Sequence, residues 1–241
     1  MDLFPNLKTL KIEFSCHFEA ISVSDGKSLE ELTYLRIGGC GSFVSFPNGG
    51  LIAPKLNELD IVFCPKLKWL PENMNSLSSL KSLTIKYCPL IEPLPEGEGG
   101  LPVSLSSLTI SSDIFFRMKW NWQTLPHLTH LSIYGYGIEE DMESFPEKGL
   151  LPTTIISLTI WYFAKLRGLD KNGLTQLTSL QTLEILECPE LETLSEEGFP
   201  TSLTSLWIFM CPLVSKKYDP KESGNEEYWN KISHIPHLFI K

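Results

Sequence analysis

A parallel-sheet solenoid of about nine short rungs is the fold the sequence predicts, and three observations predict it. A Leu-x-x-Leu-x-Ile unit, once with Ile in first place, recurs nine times along 241 residues. Its first positions are Leu7, Leu32, Leu56, Leu80, Leu105, Leu128, Ile155, Leu180 and Leu203, so the step stays within 23–27 residues. Turn formers are frequent, with 17 prolines and 16 glycines. A steady period of this length marks stacked units, each too small to bury its apolar face alone.

The strand comes first in each unit. Leu-x-Ile alternates with period two, which puts both side chains on one face of a short strand. The Leu three residues earlier turns into the same core. Stacked strands then pair in parallel about 4.8 Å apart. Pattern and period together define an α/β leucine-rich-repeat solenoid, a horseshoe with the sheet on its concave face.

The return limb follows. Pro65-x-Leu67-x-x-Leu70-Pro71, Pro89-x-Ile91-x-x-Leu94-Pro95 and Pro189-x-Leu191-x-x-Leu194 carry apolar residues that point back into the core. The prolines and glycines around them favour irregular or 3-10 backbone, so little helix is expected on the convex side. The run from Asn172 to Thr178 suits a short helical turn. Two stretches depart from the pattern: 111–123, rich in aromatics, and 135–151, which carries Glu139, Glu140 and Asp141. Both are expected to be outward loops.

Residues 1–214 read as the solenoid and 215–241 as a C-terminal cap. In the cap a polar stretch is followed by Ile235-x-x-Leu238-x-Ile240, which restores the strand phase, and Tyr228 and Trp229 are placed to pack on the last rung. At the other end Leu7 opens a full repeat with nothing before it to cover the first rung. That pattern is expected of a segment cut from a longer array.

The cysteines keep the same frame. Cys40, Cys64, Cys88, Cys188 and Cys211 each fall eight residues after the first Leu of a repeat, and Cys16 falls at nine. This is the position where a small buried side chain sits beneath the turn leaving the strand. A structural role is therefore expected rather than zinc, which prefers closely spaced cysteine pairs, or disulfides.

Composition excludes several functions. The net charge of −9 argues against nucleic acid as a partner. No apolar run approaches the length needed to span a bilayer, and the start lacks the basic, apolar pattern of a secretory signal. A cytoplasmic location is the default expectation. The pairs His127/His130 and His234/His237 lack a Cys or carboxylate at a matching offset, so no metal site is expected. The glycines from Gly97 to Gly100 lack the Lys-Ser/Thr of a phosphate loop. No nucleophile stands with an assigned base. Neither a catalytic residue nor a cofactor is predicted, and a non-enzymatic protein is expected.

The outward strand positions carry the functional signal. Early rungs place charged or small residues there, such as Lys11, Arg36, Asp60 and Glu13. Late rungs bring Tyr134, Trp161, Leu186, Trp207 and Phe209 side by side. A cluster of that kind is a candidate protein-binding face. A covering loop or neighbouring domain is the alternative reading of the same residues.

The stretches LNELDIVFCPKLKWLP, GGLPVSLSSLTI, KGLLPTTIISLTI, LQTLEILECPELETL and FPTSLTSLWIFMCPLV, with the ending EEYWNKISHIPHLFIK, carry a family resemblance over essentially the whole chain. They resemble the C-terminal leucine-rich-repeat region of plant nucleotide-binding leucine-rich-repeat disease-resistance proteins of the coiled-coil class. The resemblance implies the sensor region of an intracellular immune receptor. Its partners would be a pathogen effector, a host protein, or the nucleotide-binding switch domain that the repeats restrain. The 241 residues contain no phosphate loop, a departure from the family's full pattern. A stand-alone repeat scaffold or a substrate adaptor unrelated to immunity is the alternative.

Overall fold

The computed structural model describes residues 6–21, 28–46, 50–93, 100–118, 120–135, 142–194, 199–219, 221 and 225–241. They fall into two compact units, 1–127 and 128–241. Both are built from the predicted repeat as parallel-sheet solenoid.

In the first unit five strands pair in chain order, all parallel: β1 (Thr9–Glu13), β2 (Tyr34–Gly38), β3 (Glu58–Val62), β4 (Ser82–Lys86) and β5 (Ser107–Ser111). The register is the sequence repeat itself. Leu10, Leu35, Leu59, Leu83 and Leu108 stand in one row, and Ile12, Ile37, Ile61, Ile85 and Ile110 in the next. Stacking removes these side chains from water completely from β2 to β5, whereas Leu10 and Ile12 on the edge strand are half-buried. Each buried Leu or Ile contributes about 1.5–3 kcal/mol of hydrophobic stabilisation, which is why one rung fails alone and a stack holds.

The second unit repeats the plan with β6 (His130–Tyr134), β8 (Ser157–Trp161), β10 (Thr182–Leu186), β11 (Ser205–Phe209) and β12 (His237–Ile240). These five are again parallel and in repeat register. The restored phase after Ile235 is thus a full strand, with Leu206 opposite Leu238 and Ile208 opposite Ile240. On the return limb β7 (Ser144–Phe145) and β9 (Gly168–Leu169) form a small second parallel sheet.

The return limbs bury the apolar residues expected of them: Leu67, Leu70, Ile91, Leu191 and Leu194 are all in the core. Leu94, Pro95, Gly97 and Gly99 lie outside the described residues. Helix is sparse. α1 (Ser112–Arg117), α2 (Lys171–Thr175), α3 (Pro212–Lys217) and α4 (Glu226–Asn230) span five or six residues each. α2 falls where the short helical turn is expected, and the Asp170 carboxylate caps it by accepting from the Gly173 N–H at 2.6 Å.

The stretch 111–123 is not an outward loop. Ile114, Phe115 and Trp122 are buried, and the Phe115 ring stacks on Trp122 with centroids 4.5 Å apart. The helical spacing of Ile114 and Met118 turns both into the core, where the loop reading pointed the segment to solvent. In the stretch 135–151, Glu139, Glu140 and Asp141 lie outside the described residues. The part that follows packs inward, with Phe145 buried against Phe163 at 5.9 Å.

Five cysteines are buried and all six are free thiols, Cys16 being exposed. Among the buried thiols, Cys40 Sγ reaches Ile12 O at 3.6 Å, Cys64 reaches Ile37 O at 3.7 Å and Cys211 reaches Ile185 O at 3.7 Å, all strand-end carbonyls of the preceding rung, while Cys188 bonds Leu186 O of its own rung at 3.5 Å. The cysteine ladder satisfies backbone, as its frame predicts.

The residue just before the ladder position takes a left-handed conformation. Phe14, Phe63, Tyr87, Tyr162, Glu187 and Met210 all have φ between 53° and 62°. Side chains with a Cβ cost roughly 1–2 kcal/mol there. The turn is held because these N–H groups reach the next rung, as in Phe63 N–H to Lys86 O at 3.0 Å and Tyr162 N–H to Leu186 O at 2.9 Å.

Candidate protein-binding face

In each unit the five long parallel strands turn alternate side chains to solvent. The two solvent faces differ in chemistry as the sequence predicts.

On the first unit the face is a charged network. Arg36 donates to Glu13 at 2.8 Å and to Asp60 at 3.3 Å, and the Tyr34 hydroxyl donates to Asp60 at 2.9 Å. The Lys11 ammonium lies 5.3 Å from the Tyr34 ring centroid. Asp60 is nearly buried, and these donors pair its carboxylate. Burial and the Asp60 carboxylate push the Tyr34 phenol above its ordinary range. The phenol is held protonated in the fold, so its contribution is complete below the ordinary tyrosine pKa and fades as pH rises through the raised value. Tyr34→Phe is therefore expected to cost about 1 kcal/mol at neutral pH, and its deficit against wild type to shrink above about pH 10. Urea melts of both proteins at neutral and alkaline pH measure this. A deficit that does not change with pH would show that the phenol's proton plays no part.

On the second unit the face is apolar and aromatic. Tyr134, Trp161, Leu186 and Phe209 occupy one row in register. The adjacent row runs Ser132, Thr159, Glu184, Trp207 and Phe239. All five residues singled out in the sequence thus share one sheet face. The Tyr134 and Trp161 rings meet at 5.0 Å. Leu186 separates Trp161 from Phe209. Trp207 and Phe209 remain 45% and 36% exposed although both are large and apolar, while Tyr134, Trp161 and Leu186 are half-buried against their neighbours. Trp207 is anchored by its indole N–H, which donates to Ser205 Oγ at 2.8 Å.

Phe239 belongs to the same surface and is absent from the sequence-based set. It lies opposite Trp207, the rings 5.1 Å apart, and is 37% exposed. Extending the outward position by one strand through Ile235-x-x-Leu238-x-Ile240 would have found it. Tyr162 and Met210, each following a row residue in a left-handed turn, add exposed apolar surface at 50% and 57%. His130 is exposed at the start of β6, with Nδ1 at 2.9 Å from the Thr129 hydroxyl. Among the described residues no cluster of three metal-binding side chains occurs.

Repeat, register and solvent face together define a leucine-rich-repeat solenoid. No family model matches the chain. Over its whole length, however, it is 36% identical to a protein of Arabidopsis thaliana named as a candidate disease resistance protein. The chain spans 16% of that relative's length. The chain is thus a leucine-rich-repeat solenoid similar over its whole length to part of a disease resistance protein. Among the described residues, no helix is long and apolar enough to cross a membrane.

Proposed function

We propose that the chain is the protein-recognition region of a plant intracellular immune receptor, binding through the solvent face of its second unit. The observation that carries this reading is the aromatic face itself. Trp207, Phe209 and Phe239 stay more than a third exposed beside Trp161 and Tyr134. Large aromatics grouped at the centre of a surface are what protein interfaces use as anchors. Relatedness to a disease resistance protein supports the immune setting. In that setting the partner is a pathogen effector or a host protein in the cytoplasm. A nucleotide-binding switch domain of a longer receptor is a further partner, restrained until a ligand shifts the equilibrium. A repeat scaffold or adaptor outside immunity would use the same face, and the identity of the partner separates the two.

The test uses the chain as bait in plant extract, wild type beside a Trp161→Glu/Trp207→Glu variant and a control bearing Lys55→Glu on the first unit. Placing carboxylates at two anchors is expected to weaken a partner by about 100-fold or more. Proteins retained by wild type and control but lost on the double variant support the face. An unchanged retained set removes it as the site.

A further inference from the structure

Glu184 lies in the middle of the aromatic face. Its register neighbours are Thr159 on one side and Trp207 on the other, with Leu186 next along its own strand. Trp161 and Phe209 stand diagonally, about 8 Å away by strand and residue spacing. The carboxylate is oriented by the Thr159 hydroxyl, which donates to Oε2 at 3.0 Å. Among the described residues no Lys or Arg side chain pairs with it. Across the outward positions of β6, β8, β10, β11 and β12 it is the sole carboxylate, and those positions hold no Lys or Arg.

A lone carboxylate between two indoles has a definite chemistry. It attracts a cation, and each indole face attracts the same cation within about 6 Å of its centroid. A planar guanidinium satisfies both demands at once, stacking on an aromatic face while its N–H groups reach a carboxylate. The wider field favours the same ligand. Residues 128–241 carry nine Lys and Arg against sixteen Asp and Glu, so this unit holds seven of the chain's nine excess negative charges. Such a field draws basic partners and repels acidic ones.

We infer that the face recognises an arginine side chain presented by its protein partner, with the guanidinium paired to Glu184 and stacked on Trp207 and Trp161. This rests on the reading of the aromatic face as the binding surface and specifies what that surface selects. The contact orients the partner, and the surrounding Leu186, Phe209 and Phe239 take the apolar residues that flank the arginine.

The experiment follows the indole N–H resonances of Trp161 and Trp207 in the full chain, assigned with Trp161→Phe and Trp207→Phe variants. The probe is a blocked Ala-Arg-Ala tripeptide. Its counterpart carries citrulline, which keeps the shape of arginine and removes the charge. Arginine peptide is expected to shift both indole signals saturably. Citrulline peptide should bind at least about fivefold more weakly, the share that ion pairing and cation–π attraction supply. Glu184→Gln should erase that preference. Equal binding of both peptides, or an unchanged preference in Glu184→Gln, overturns the arginine assignment and leaves the aromatic face standing. Indole signals that respond to neither peptide also overturn it. Whether the face binds a protein at all is decided separately by the extract experiment with the Trp161→Glu/Trp207→Glu variant.

Discussion

Phe115→Ala is expected to destabilise the first unit by about 3–5 kcal/mol, the usual cost of removing a fully buried aromatic. The ring is 1% exposed, stacks on Trp122 at 4.5 Å and meets the edge of Phe116 at 5.0 Å. It holds a stretch that departs from the repeat, so its loss leaves a cavity that no neighbouring rung is shaped to fill. The helix that carries it is only six residues long, too short to persist on its own. Its local support is the Arg117–Asp113 pair at 2.8 Å and the Arg117 bond to Pro89 O at 2.6 Å. Phe116, half-buried, should cost under about 1 kcal/mol when truncated. Denaturant melts of the two variants make the comparison. Similar small losses for both would mean that the stretch contributes little to the core, as a surface loop would.

The contrast between that stretch and the strands explains what the sequence discloses. Leu35 and Ile37 can be placed because a period of two leaves one choice of face, and the next repeat confirms it. The same rule places Trp161 and Trp207 on the solvent face, since they alternate with the buried Leu and Ile of their strands. Phe115 has no such frame. Within an insertion, aromatic content alone does not say which side faces in, and only the helical offset of Ile114 and Met118 carried the signal. The left-handed turns were equally hidden. Turn chemistry points to Gly or Asn at such positions, and among the left-handed residues of this row Gly39 alone obeys. Phe63, Tyr162 and Met210 stand there because the next rung's backbone holds the turn, and Tyr87 because the Ser111 hydroxyl accepts from its N–H, causes that exist only after stacking. Phe239 was missed for a simpler reason, although the Ile235-x-x-Leu238-x-Ile240 phase carries it. Its strand follows Leu203 by a longer step than the repeat allows, so a list built on the period stops one strand early.

Gly173→Ala sets a local preference against a tertiary contact, and the tertiary contact is expected to win. Gly173 lies inside α2, where alanine favours helix by about 1 kcal/mol over glycine. By propensity alone the substitution stabilises. A Cβ at this position, however, would come within 1.6 Å of the Pro146 carbonyl oxygen and 2.6 Å of its carbon. Both are backbone atoms, so no rotamer change relieves the clash. Helix or return limb must shift, and the Asp170 cap bonded to the Gly173 N–H shifts with them. The net effect expected is a loss of about 3 kcal/mol, at the upper end for overpacking a filled site. Asn172→Ala is the control. It changes the exposed neighbour in the same short helix and should leave stability within about 0.5 kcal/mol or raise it slightly. Thermal or urea melts of the pair decide between the two causes. If Gly173→Ala proved neutral or stabilising, the close approach of α2 to Pro146 would not be a constraint, and helix propensity would govern this glycine. If it fails while Asn172→Ala does not, the glycine is there for the space its missing Cβ leaves, which the return limb of the preceding rung occupies.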